Sequence, residues 1–409
     1  MKKIAFLVGL IFLVGCLSPI PAISADKISF GFALPLTGSL AERGRRALDS
    51  YKLWAKKMNA GGGILIEGKH YPVELVFYDD KSNPDLSARF FEKLVTVDKV
   101  DLLLGGIGDR LVSAASVVSE KYKYPMISGE ANSDYLFDRN NSYYFSTLPK
   151  VSKETRACVD FLKRLKTKPT TVAIIGSDTS PSSLVCEAFK KAVESSGLKI
   201  VHYELFPLSV SDYGTTLSKI QAKHPDILFV GTRALKSLKG IVEGMKKNGF
   251  MPKAVVLGGG LMVHDLMATL GEDSDYLFTM TEWVSELPYK GPVFGSASDF
   301  DKVYYKEYKR HSEYVEAAVA SAAVVQQLAL QKLGSAPPYD EAGREALMKK
   351  LHDIDFETFY GKVRFGKDGA NSAHPLVIIQ IREGKVVPVY PVEVKKAAPA
   401  YPVPLWEKR

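Results

Sequence analysis

At 409 residues the chain is long for one compact core and suits two domains. Its composition, 46% hydrophobic and 24% charged, is that of an ordinary globular protein. The net charge of +8 is spread along the chain instead of gathered into a stripe, so no nucleic-acid partner is expected.

Residues 1–25 read as a secretory signal: Lys2-Lys3 forms the basic start, and Ile4 to Gly15 is an apolar run too short to span a bilayer. Two cleavage readings stay open. Leu13-Val14-Gly15-Cys16 resembles a bacterial lipobox that would leave Cys16 lipid-anchored, and Ala22-Ile23-Ser24-Ala25 resembles an ordinary signal-peptidase site. Either predicts an exported chain, periplasmic or membrane-anchored outside the cytoplasm. No later segment reaches 18 apolar residues. Beyond the signal, Cys158 and Cys186 are a disulfide pair or two buried thiols, and the sequence does not choose.

Ile28, Phe30 and Phe32 alternate as a strand, the turn Thr37-Gly38-Ser39 follows, and a helical period begins with Ala47, Leu48 and Tyr51. In an open α/β sheet this junction lies at the carboxyl end of a strand, where ligands bind. The pattern continues with a strand over Tyr71–Tyr78, a helix over Leu86–Val97 and a strand over Val100–Leu104. Next come a Gly-rich turn, a helix over Leu111–Lys121, and strands Pro125–Ser128 and Tyr143–Phe145. A second β/α run then starts: helix Lys153–Lys166, strand Thr171–Ile175, helix Leu184–Ser195 and strand Lys199–Glu204. It goes on through helix Tyr213–Ala222, strand Ile227–Val230, helix Leu235–Asn248, and strands Ala254–Leu257 and Tyr276–Thr281. Helices are expected at Phe300–Arg310, Val315–Leu333 and Arg344–Leu351, and strands at Gly361–Phe365 and Leu376–Ile381. The proline-bearing tail from Val386 reads as an extended segment unable to form a central strand or helix. The fold class is α/β, with two units of like architecture.

Enzyme chemistry finds no motif. The seven histidines form no H-x-x-H or H-E-x-x-H pair, and Ile127-Ser128-Gly129 lacks the leading Gly-x of a nucleophile elbow. The Gly-rich loops carry neither a P-loop Lys-Ser/Thr nor dinucleotide spacing, so neither catalysis nor a cofactor is expected.

The runs FALPLTGSLAERGRRALDSYKLWAKKMNAGGGI, VELVFYDDKSNP and YPMISGEANSD, with FYGKVRFGKDGANSAHPLVIIQIREGKVV near the end, resemble the type I periplasmic solute-binding proteins of ABC importers. Within these the likeness is to the leucine/isoleucine/valine-binding branch, and it covers nearly the whole mature chain. The resemblance implies two Rossmann-like lobes joined by three hinge strands, which close on a small molecule in the cleft between them. Lobe 1 would be residues 26–149 plus 283–373, and lobe 2 residues 150–282 plus 374–409. It further implies an ABC permease partner, an amino acid or related small carboxylate as ligand, and a monomer. Carried over, the cleft residues are Ser39 and Arg43 in the first loop, Gly108 and Asp109 in the next, and Glu130, Ala131 and Asn132 after YPMIS. Lobe 2 adds Ser180, Pro181, Arg233 and Gly260, with Trp283 at the hinge.

Several positions depart from the branch. Gly108-Asp109 stands where hydroxyl residues are expected, Pro181 and Arg43 where aromatics are, and no acidic residue lies near Gly260 to hold an amino group. For an amino acid, Arg43 or the N–H groups at Ser39–Leu40 and Gly108–Asp109 can hold the carboxylate, and Asp109, Glu130 or Glu282 the ammonium. An amine-free aromatic or aliphatic acid held by Arg43 beside Trp283 and Tyr135 is the alternative ligand, and a sensor that presents its ligand to a receptor is the alternative role.

Overall fold

Ile28–Leu34 (β1) alternates in sequence, yet six of its seven residues are buried, because helices cover both faces of its sheet. The computed structural model describes residues 26–139 and 141–408, so the signal segment and Cys16 lie outside it. After β1 come α1 (Ala41–Ala60), β2 (Val73–Asp79), α2 (Pro84–Thr96), β3 (Leu102–Leu104), α3 (Asp109–Tyr122), β4 (Met126–Ser128) and β5 (Tyr144–Ser146). The five strands form one parallel sheet in the order β2-β1-β3-β4-β5. The order reverses between β1 and β3, which opens a crevice at their carboxyl ends.

The second run supplies α4 (Val151–Lys163), β6 (Thr171–Ser177), α5 (Ser182–Glu194), β7 (Lys199–Phe206), α6 (Gly214–Gln221) and β8 (Ile227–Gly231). It continues with α7 (Leu235–Lys247), β9 (Ala254–Leu257), α8 (Val263–Leu270) and β10 (Phe278–Thr281). Three helices follow, α9 (Ala297–Tyr308), α10 (Tyr314–Leu333) and α11 (Glu341–His352), and then β11 (Val377–Arg382) and β12 (Lys385–Tyr390). The second sheet has the order β12-β11-β10-β9-β8-β6-β7, parallel except at the two last strands in sequence. Its own reversal lies between β6 and β8.

The helices after β10 return to the first sheet. α10 packs along α1, and Gln327 accepts the Trp54 indole N–H at 3.0 Å. Gly129 allows this approach: a Cβ there would lie 2.5 Å from the backbone of Ala318 and Val319. The chain therefore crosses between the sheets three times, and the crossings are bonded together. Asn371 Nδ2 donates to Thr147 O at 2.9 Å, and His374 Nε2 donates to Glu282 O at 2.8 Å.

Two expectations need correction, and one alternative is decided. The strand expected over Tyr71–Tyr78 divides at Pro72: Lys69–Tyr71 pairs with Ile64–Ile66 in a hairpin, and only Val73 onward joins the sheet. The tail begins as a strand, since Lys385–Tyr390 forms the sheet edge, where Pro388 costs no ladder bond. Beyond it the chain lies extended on the sheet, with Ala400 N–H donating to Gln380 and Val403 N–H to Lys253 O. Cys158 and Cys186 are both buried free thiols, with no disulfide between them.

Candidate functional site

Both crevices open onto one cavity of about 730 Å³. Four helices begin at its wall: α1 after Leu40, α3 after Gly108, α5 after Pro181 and α7 after Ala234. None of the four carries a side-chain cap. α2, whose first residue Pro84 also lines the cavity, is capped by Asn83, and α9 and α11, which start elsewhere, by Ser296 and Asp340. Uncapped first turns leave N–H groups that favour an anion, so this cavity is suited to a carboxylate. Leu40, Ile107, Leu148, Leu208 and Ala234 supply apolar wall.

The charged groups are arranged asymmetrically. Arg43 is almost fully enclosed, and its Nη1 donates to Glu130 and, at 2.8 Å, to the Tyr314 hydroxyl. Its Nη2 reaches across to the second-sheet half and donates to Gly260 O at 2.5 Å. Burial opposes its charge, but Tyr314, Glu130 and Glu282 raise its pKa above the ordinary arginine value. Glu130 also accepts from the Tyr314 hydroxyl at 3.0 Å and lies 3.9 Å from Arg233 Nη1. Arg233 stands over Gly260, whose φ of +82° and missing Cβ leave room for the guanidinium.

A second acidic centre lies deeper. Glu154 and Glu282 are 4% and 3% exposed, and both carboxyls sit beside Gly259. Burial and the facing Glu282 push the Glu154 carboxyl well above the usual carboxylate range. Burial also raises Glu282, while Arg233 and the hydrogen bond from Glu154 pull it back. Burial therefore opposes the charge of both carboxyls, more strongly at Glu154. Glu282 lines the cavity, and its Oε2 is buried with no hydrogen-bond partner.

Ser39, Arg43, Gly108, Asp109, Glu130, Ala131, Asn132, Ser180, Pro181 and Arg233 all line this cavity. Several have duties within the protein. Asp109 Oδ1 accepts the N–H groups of Asn132 and Ser133 at 3.0 Å each, which fixes the loop after β4. Asn132 Nδ2 donates to Pro149 O and Glu154 Oε1, and Ala131 O accepts from Tyr144 and Ser146. Arg43 is committed to protein acceptors at both terminal nitrogens, which corrects the expectation of a free carboxylate anchor. Gly260 lines a separate cavity of about 330 Å³ on the far side of Arg43. Trp283 does not line the cavity: it is fully buried, with its indole N–H donating to Phe359 O at 3.0 Å. Acidic groups absent from the sequence around Gly260 come close in space, since the Glu282 and Glu154 carboxyls sit beside Gly259. Sequence reading missed Tyr314 and Glu154, because each looks like an ordinary helix residue until the halves meet.

The fold and site define a small-molecule binding protein of two α/β halves with its ligand cavity between them. The profile of the family described as periplasmic binding protein matches residues 27–385, and the chain belongs to that family. It is 24% identical over 384 residues to Leu/Ile/Val-binding protein homolog 8 of Brucella abortus, covering 89% of this chain and 90% of that one. A solved putative branched-chain amino acid ABC transporter from Silicibacter pomeroyi shares the fold with a TM-score of 0.80 at 21% identity, over 91% of this chain and 98% of that one. The branched-chain amino acid transporter substrate-binding protein of Streptococcus pneumoniae, solved with isoleucine, has a TM-score of 0.73 at 21% identity, covering 88% and 98%.

Proposed function

We propose that this chain is the extracytoplasmic solute-binding component of an ABC importer and that it captures a hydrophobic amino acid for a membrane permease. Residues 26–149 with 283–373 form one lobe and 150–282 with 374–409 the other, in keeping with sheet membership and the three bonded crossings. The observation that carries the reading is the unpartnered Glu282 Oε2, a buried carboxyl oxygen of a residue that lines a cavity with four uncapped helix N-termini at its wall. An orphaned buried acceptor is costly, and a ligand ammonium relieves that cost. The ligand carboxylate goes to the first turn of α3, and the hydrocarbon lies against Ile107, Leu148 and Leu208. The family and the branched-chain binders among its relatives support the transport role.

The test compares leucine with 4-methylpentanoate, the same molecule without its ammonium, by thermal shift on ligand-stripped protein. At a thousandfold over Kd a bound ligand adds about 4 kcal/mol, a rise of several degrees. Stabilisation by leucine and not by 4-methylpentanoate is expected. Equal shifts, or a response to the amine-free acid alone, would overturn the ammonium assignment.

A further inference from the structure

Outside both cavities, a second set of contacts joins the lobes. α8 starts in lobe 2 after Met262 and has no cap from its own N-cap residue. The carboxylate of Glu313, in lobe 1, occupies that position. Its Oε2 accepts the Val263 N–H at 2.9 Å, and its Oε1 accepts the His264 N–H at 2.7 Å and lies 3.1 Å from His264 Nδ1. Glu313 is itself 3% exposed. Further into the same turn, Asp265 Oδ2 accepts from Arg46 Nη2 at 2.9 Å, while Arg46 Nη1 donates to buried Glu316 at 3.0 Å.

Separating the lobes would strip α8 of its cap and remove two backbone donors from a nearly buried carboxylate. It would also part Arg46 from Asp265. Each loss falls on the open form whatever the cleft contains, since none of these groups lines the ligand cavity. Ligand contacts are thus not the sole force for closure.

We propose that Glu313 and Arg46 are positioning residues for closure, forming with α8 a clasp that keeps the ligand-free protein predominantly in the closed arrangement. Ligand then enters through transient opening, and its apparent affinity scales with the closed fraction. Removing the Glu313 charge is expected to lower the closed-to-open ratio by about tenfold or more.

Small-angle scattering on ligand-stripped protein tests the clasp with no ligand present, so the outcome is independent of the amino-acid reading. Wild type is expected to scatter as the closed form, and Glu313→Gln and Asp265→Asn to shift to a larger radius of gyration. Lys56→Ala, which removes an exposed ion pair to Glu307 inside lobe 1, should leave the radius unchanged. Asp265 is half-exposed, so its variant keeps the test usable if Glu313→Gln folds poorly. A ligand-free wild type as expanded as both variants would overturn the proposal. So would variants that melt earlier yet keep the wild-type radius, because that result marks a merely structural role.

Discussion

Glu154 and Glu282 bring their carboxyls together beside Gly259, where burial raises both and the neighbouring Glu282 raises Glu154 further, while Glu282 Oε2 stays buried without a hydrogen-bond partner. The two acids are therefore not equivalent. Glu154→Gln preserves a hydrogen-bond donor to Glu282 and should leave leucine affinity close to wild type. Glu282→Gln removes the carboxyl that pairs with the ligand ammonium in the proposed mode and should weaken it by about tenfold to a hundredfold. Titration calorimetry on both variants checks this, and equal losses would sink the assignment.

Arg43 ties Glu130, Tyr314 and Gly260 together across the cleft. Arg43→Ala leaves buried Glu130 with only the more distant Arg233 as counter-charge. Breaking a buried pair in this way should cost roughly 3–5 kcal/mol, read as a lower urea midpoint in ligand-free protein. A midpoint within error of wild type would mean that the strut carries no weight.

His374 is fully buried, stacked on Tyr360 at 4.4 Å, and burial lowers its pKa from 6.5 to about 4. The unfolded chain takes up a proton near pH 6.5, and the native chain does so only near pH 4. The stabilisation is thus fully present above the unfolded value and lost as pH falls through that window. The loss amounts to about 3 kcal/mol at most. His374→Gln, which keeps a donor for Glu282 O, should flatten the slope of stability against pH between 6.5 and 4. A slope identical to wild type would exclude His374 as its source.

The buried thiols of Cys158 and Cys186 are both pushed up by burial, Cys186 to about 12. Neither should react with iodoacetamide in native protein at pH 8, and both should react in denaturant without a reductant. A mass two daltons below the reduced chain would instead indicate a disulfide.

The alternation of Ile28, Phe30 and Phe32, the Gly/Ser turn and the helical period after it identify the first β-α unit in sequence. The same signals, repeated, trace most of both sheets. The Ile64–Ile66 hairpin escaped because three-residue strands are too short for periodicity to mark, and the edge strand Lys385–Tyr390 because Pro388 argues against any strand until its edge position is known.

Sequence by itself determined the α/β class, the two repeats and the succession of strands and helices along the chain, because these follow from local period and turn chemistry. The cleft residues came from the resemblance to the solute-binding family, and ten of them line the cavity. Only the tertiary structure decided what each charged residue does. Arg43 spends its guanidinium on Gly260, 217 positions away, and Glu313 caps a helix 49 positions before it. It likewise put Trp283 in the core and left Glu282 with a free oxygen. Hydrogen bonds act over about 3 Å, and which groups come that close is set by how the two halves meet, for which no local pattern exists.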